Sequence, residues 1–451
     1  MNKTVVIIVL STMILSMLNS CTSENASLKN IAALEEAETQ TKVKWLGQWY
    51  GEGKKETLVR EIARDFSFLN QDLDIELQFV YQMAEIDSFA DPFRSLCDSI
   101  THWARTDTWP FDIFVCDKWI YADIAGALND KNWGQKHLVD FQNEEWFKAS
   151  HKEYVLSADE YRGNFGDLAP GAFIEGMWNL LFVSSEVEGK LGVKVKDLDM
   201  TIDDFIEYAR IVYQHNQTNS EKITFCATNY QSIEMLLNHL IMSAVGDIKS
   251  SSAVDQLMAL TNVYKKLEVL AKYKPTELHH EYATDRELKH DKALFHLHAT
   301  WVTLFWQRLN PEGEKLMRPC EFPSMTGKTA QAYSGTYNAI FAIPKKAKNR
   351  QAATRLMKYM SSVDIAEKWE NYSKCPTGLV SRMSFSEFGT DAFSNFSKHM
   401  TVKYDNRLAD VVLSEQLFNG KQSHINFHAL EVADGSMTAS QAINSIRNQM
   451  R

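Results

Sequence analysis

Four segments near the start of the folded chain constrain the architecture most. "KKETLVREIARDFSFLN" puts Leu58, Ile62, Phe66 and Leu69 at helical spacing, so one face is apolar. "LDIELQFV" alternates Leu73, Ile75, Leu77 and Phe79 with Asp74, Glu76 and Gln78, the period of a strand buried on one face. "VKWLGQWYGEG" before them is a short apolar strand ended by glycines, and "FDIFVC" after a further helical stretch is a compact apolar strand. Strand, helix, strand, helix, strand in this order predicts a parallel α/β sheet.

Further along, the stretch from about 200 to 310 is mostly helical, and "MTIDDFIEYARIV" opens with Thr201 and Asp204 as a capping box. "AIFAIP" returns to a strand, followed by a helix with Ala353, Leu356, Met357 and Met360 on one side. Gly435 closes one late helix, and Thr438 with Gln441 caps the last.

The other end of the chain concerns location. Lys3 precedes "VVIIVLSTMILSML", an apolar run of about 14 residues, which suits a signal peptide and falls short of the roughly 20 a spanning helix needs. "LNSC" then resembles the bacterial lipobox, which makes residues 1–20 a signal peptide and Cys21 the acylated anchor in the bilayer. Residues 21–42 are polar and read as a tether. The expected location is extracytoplasmic, on the periplasmic face or the cell surface.

The whole chain has an ordinary globular balance, 45% hydrophobic and 24% charged, enough for a sizeable core. A net charge of -10 without any dense Lys/Arg run excludes a nucleic-acid partner. Cys97, Cys116, Cys226, Cys320 and Cys375 form no C-x-x-C pair, so no zinc site or disulfide scaffold is indicated; Cys116 and Cys226 lie on apolar strands as buried thiols. His296 and His298 alternate on a strand without a carboxylate at ligand spacing, and "HHEY" is not H-E-x-x-H. With no Walker loop, G-x-S-x-G or G-x-G-x-x-G present, no cofactor, metal or catalytic residue is expected.

In order of segments the chain resembles the extracellular solute-binding proteins of ABC importers, in the maltose-binding-like group. The resemblance lies in "FDIFVCDKWIYADIAGALND", "LAPGAFIEGMWNLLFVSSEVEGKLGV", "DMTIDDFIEYARIV", "KALFHLHATWVTLFW", "AIFAIPKKAKNRQAATRLMKYM" and "VADGSMTASQAINSIRNQM". "LFVSS", Ile202 and the Ala299–Thr300 pair depart from the family's usual residues and bear on the ligand's identity. The resemblance implies a periplasmic-binding-protein-like α/β fold of two discontinuous lobes around a cleft. The first lobe would take 43–168 and a return over 339–380, the second 169–338 and a helical end over 381–451.

It also implies a function: a monomeric, non-enzymatic protein that captures a sugar, an oligosaccharide above all, and delivers it to a membrane permease. Sugars present apolar C–H faces and a rim of hydroxyls, so their sites want flat rings and carboxylates or amides. Trp49, Glu52, Asp117, Trp119, Glu175, Trp178, Tyr230, Trp301 and Tyr337 are the candidates, expected at strand ends or loops. Asp117 stands out, since a carboxylate directly after an apolar strand is unlikely to be buried without a partner. Two rivals stand: a sensor that reports ligand to a membrane receptor, and a surface glycan hydrolase needing two convergent carboxylates.

Overall fold

Parallel pairing of β1 (Thr41–Gly47) with β2 (Leu73–Phe79) starts the first sheet, from Thr41 opposite Leu73 to Gly47 opposite Phe79. The computed structural model describes residues 40–82, 92–157, 159–228, 230–246, 251–273, 276–278, 292–303, 306, 311–325, 332–373, 375–382, 392–405, 407–409 and 427–449. Cys21 and the signal and tether up to residue 39 lie outside the described residues. The crossover between the first two strands is α1 (Lys54–Leu69), which buries Leu58, Val59, Ile62, Ala63 and Phe66 as its period requires. Leu69, expected on that face, is 65% exposed: it is the helix's last residue, where the chain turns away at Asn70.

The sheet continues through Ile113, bridged in parallel to Trp45, into β3 (Phe114–Val115). The expected all-parallel order ends there. β10 (Phe341–Ala342), from the returning segment, pairs antiparallel with β3. It does so because it arrives from the second sheet and runs back across the first. Helices α2 (Pro92–Thr106) and α3 (Lys118–Leu128) flank β3 in the chain. From the return, α7 (Arg350–Met360) buries Ala353, Leu356, Met357 and Met360, and α8 (Val363–Ser373) packs on α1.

The second sheet holds β4 (Glu175–Ser184), β5 (Thr224–Thr228), β6 (Thr276–Leu278), β7 (Ala293–Ala299), β8 (Met317–Cys320), β9 (Tyr333–Asn338) and β11 (Leu408–Ala409). Its order is β11-β9-β4-β7-β5-β6, with β8 also on β4. Around it lie α4 (Ile202–Thr218), α5 (Tyr230–Val245), α6 (Ala253–Ala271), α9 (Ala392–Tyr404) and α10 (Ala439–Gln449). Thr201 Oγ1 accepts from the Asp204 N–H at 3.2 Å while Asp204 accepts from the Thr201 N–H at 2.9 Å, the capping box read from the sequence. Thr438 and Gln441 reciprocate in the same way before α10. Gly435, at φ +83°, closes the helix before it.

Three segments pass between the sheets: the approach to β4, the run from β9 into β10, and residues 375–379. They lie so close that two glycines have no substitute. A Cβ on Gly171 would sit 2.0 Å from the Phe341 carbonyl oxygen, and one on Gly176 would sit 2.3 Å from that of Pro376. Cys97, Cys116, Cys226, Cys320 and Cys375 form no disulfide among the described residues, and Cys116 and Cys226 are buried as expected. No described helix is long and apolar enough to cross a membrane.

Candidate functional site

Asp117 follows β3 and caps α3. Its Oδ1 accepts from the Trp119 and Ile120 N–H groups, each at 2.9 Å, so a helix N-terminus holds one oxygen in place. Its Oδ2 takes no hydrogen bond from the described residues. Burial pushes the carboxyl up to about 6, with the two N–H bonds opposing the shift and the nearby Glu175 charge adding to it. Glu175 itself opens β4, on the crossing between the sheets.

Lys55 pairs with Glu175 and with Glu52. Its ammonium is 2.8 Å from Glu175 Oε1 and 3.9 Å from Glu52 Oε2, with a side chain only 4% exposed. It also stands 5.4 Å over the Trp49 ring and 5.5 Å over the Trp369 ring. Burial alone would lower its pKa; the two carboxylates override that and leave it raised. Trp49 adopts φ +71°, a left-handed backbone that a bulky residue keeps only where its surroundings impose it. Those surroundings are Trp369 at 5.0 Å and Phe341 at 5.8 Å between ring centroids. Next to Asp117 the surface opens. Trp119 is 53% exposed, with the Lys118 ammonium 4.8 Å above its ring, and Tyr50 is also exposed.

Trp49, Glu52, Asp117, Trp119 and Glu175 therefore gather at the ends of β1 and β3 and the start of β4. Two other candidates sit elsewhere. Trp178 and Tyr337, expected at strand ends or loops, lie within β4 and β9. The register pairs Gly176 with Tyr337 and Trp178 with Gly335, so these two aromatic residues share the sheet face opposite to Glu175. Both are fully buried there, Trp178 edge-on to Phe396 and Tyr337 edge-on to Tyr161. The Glu175 face carries Asn338, Thr336 and Ser334 instead, an acceptor-rich polar stripe along the crossing strands.

Trp301 lies in the turn after β7, following Thr300, and is partly buried, its ring 6.0 Å from that of His298. Tyr230 opens α5, and its side chain lies outside the described residues, as does Asn229. Sequence reasoning missed Lys55 and Trp369. Lys55 did leave a trace, because a lysine in the first turn opposes the helix dipole and calls for a specific partner. Trp369 left none, being one aromatic in an amphipathic helix.

The cluster offers flat rings, fixed hydrogen-bond acceptors and two cations. Elsewhere, Asp199, Glu321 and His399 bring ligand atoms within 4.8 Å of one another. There the Lys403 ammonium already bonds Asp199 and Glu321 at 2.7 Å each, so an internal cation holds that position.

No family model matches the sequence, and no curated protein does. Solved structures do match in shape. The GacH receptor of Streptomyces glaucescens, solved unliganded and with acarbose, superposes with a TM-score of 0.62 at 14% identity, over 92% of this chain and 98% of that one. RafE, in a complex with raffinose, gives 0.55 at 13% identity, over 91% and 98%. A family 1 extracellular solute-binding protein from Bifidobacterium longum subsp. infantis gives 0.55 at 15% identity, over 91% and 99%. The chain has the two-lobed, periplasmic-binding-protein-like α/β fold of these proteins.

Proposed function

We propose that this protein is a lipid-anchored, non-enzymatic binding protein that captures a sugar, an oligosaccharide above all, between its lobes and hands it to a membrane permease. The observation that carries this is the gathering of Asp117, Glu175 and Glu52 with Trp49 and the exposed Trp119 where the crossing strands leave the first sheet. Ligands of open α/β sheets sit beyond the carboxyl ends of strands, which is where this cluster stands. Relatives of the same fold solved with acarbose and raffinose support the ligand class. The lobes would divide near Leu168, Asn338 and Val380, the protein would act as a monomer, and closure would follow from the ligand touching both lobes only when shut. The sensor reading has no observation of its own in its favour, and Glu175, the second carboxylate a hydrolase would use beside Asp117, is held by the Lys55 ammonium at 2.8 Å.

Asp117 supplies the test. Asparagine caps a helix as well as aspartate does. Asp117→Asn removes a buried charge whose carboxyl sits at about 6 instead of the usual 3.8, because the Trp119 and Ile120 N–H groups and Lys118 offset only part of its burial. The variant should therefore be more stable without ligand by about 1–3 kcal/mol in urea titrations at pH 7. In calorimetric titrations against acarbose, raffinose and maltose it should bind the preferred sugar at least about tenfold more weakly, since a hydrogen bond to a charged group contributes about 1.5–3 kcal/mol. Unchanged affinity would remove Asp117 from the site, and no binding of any sugar by the wild type would sink the ligand class.

The anchor is tested separately. Cells supplied with labelled fatty acid should incorporate it into the wild type, and Cys21→Ala should abolish the label. Labelling that survives the substitution would refute the anchor.

A further inference from the structure

The short helical segment before the first crossing, residues 145–163, bonds to more of the molecule than a connector needs to. His151 Nδ1 contacts the Phe147 carbonyl at 2.8 Å, and its Nε2 accepts from the Phe173 N–H at 3.1 Å, just ahead of β4. Lys152 reaches the other crossing, donating from Nζ to the Thr377 carbonyl at 2.7 Å and from its backbone N–H to the Gly378 carbonyl at 2.9 Å. The Ser150 carbonyl accepts from the Val380 N–H at 2.8 Å, and the Phe173 carbonyl accepts from the Gly378 N–H at 2.9 Å. One segment thus binds two of the three crossings to each other.

The same segment also holds the edge of the second sheet. The hydroxyls of Tyr154 and Tyr161 both donate to the carbonyl of Leu408. A carbonyl oxygen has two lone pairs, so this pair of donors saturates it. Leu408 is fully buried and begins β11, a strand of only two residues that pairs Leu408 with Tyr333 of β9. So short a strand has little pairing of its own, and two side-chain donors are a large share of what fixes it.

We infer that Tyr154 and Tyr161, through the Leu408 carbonyl, form the pivot on which the lobes turn. The tyrosines are positioning residues: they touch no ligand, and they set where the hinge axis lies. The second sheet is fixed at β11 beside the crossings, so opening and closing must occur on the side away from it. A plain packing role for the tyrosines would need their rings, which contact each other and Phe173 and Tyr337, and would leave the hydroxyls dispensable. The inference rests on the reading of the chain as a closing binding protein, and its test uses no ligand, so the two fail separately.

The test replaces the hydroxyls and keeps the rings, as Tyr154→Phe with Tyr161→Phe in the full chain. Hydrogen exchange is read at the amides of β11 and β9, and the distance distribution is read between spin labels placed on Lys131 and Lys265. Exchange at β11 and β9 should rise at least about tenfold, the loss of two neutral hydrogen bonds, while β1 and β2 stay unchanged. The distance distribution should broaden about twofold. Unchanged exchange, or faster exchange everywhere with an unchanged distribution, overturns the pivot. If the double variant does not fold, Tyr154→Phe alone, at the less buried position, should give the same local pattern at smaller size, and its absence is equally decisive.

Discussion

Lys55→Met should lower the free energy of unfolding by about 3–5 kcal/mol, the usual cost of leaving a buried charge without its partner. The carboxylate left behind is Glu175, whose Oε1 is 2.8 Å from the ammonium and whose side chain is only 9% exposed. Glu52, at 3.9 Å, loses a weaker neighbour. The cation's position over Trp49 and Trp369 is lost as well, and the methionine keeps most of the apolar stem that packs there. Glu175→Gln on the Lys55→Met background should recover much of the loss, since removing both charges removes the desolvation cost of both. Urea unfolding of the two single variants and the double closes the cycle. A Lys55→Met variant within about 1 kcal/mol of wild type would show that the pair is solvated and that the cluster around Trp49 is not built on it.

Acidification should destabilise the protein between pH 6.5 and 4 through two histidines. His151 and His239 are both buried, and burial holds each down at about 4 against an ordinary 6.5. His239 lies between Phe322 and Tyr333, and neither of its ring nitrogens has a hydrogen-bond partner among the described residues. His151 stays neutral for a structural reason: a proton on Nε2 would abolish its bond from the Phe173 N–H. The unfolded chain takes up protons below pH 6.5 and the folded chain does not. Stability is therefore full above that pH and falls as pH drops toward 4, by about 3 kcal/mol for each histidine. Asp117 works the other way, because its carboxyl at about 6 accepts a proton in the folded state first and so recovers stability between pH 6 and 3.8. The net slope should remain downward with acid, and because Asp117 offsets about one histidine's share, His239→Leu should remove most of it. A variant with the wild-type slope would place the acid sensitivity elsewhere.

Local pattern in the sequence reached as far as local physics did. The β1-α1-β2 unit, the capping boxes of Thr201 and Thr438, and the buried face of α7 each follow from residues within a few positions of one another. What escaped depends on pairing at a distance. The antiparallel docking of β10 on β3 needs the return from the second sheet, which no window around "AIFAIP" contains. Lys55 and Glu175 are 120 positions apart, so no local window joins the lysine to its partner. Trp178 and Tyr337 looked like cleft aromatics until the register of β4 against β9 set them on the face opposite to Glu175. A strand's alternation tells which side chains share a side, and only its neighbour tells which side faces what.

The triple passage between the two sheets also bears on how this chain comes to be folded. The first sheet is incomplete until its return segment exists: Asn349 donates its N–H to Asp112, 237 positions earlier, and its side chain to the Lys42 carbonyl, 307 positions earlier. Such contacts raise the mean sequence separation of the native structure, and folding slows as loops of that length must close first. During synthesis the first sheet lacks β10, and the second lacks β11, until those late segments have been made. A long-lived unfolded stage is a hazard for a chain that folds where it is made. It is the state required of a chain that must be threaded through a narrow channel before it folds.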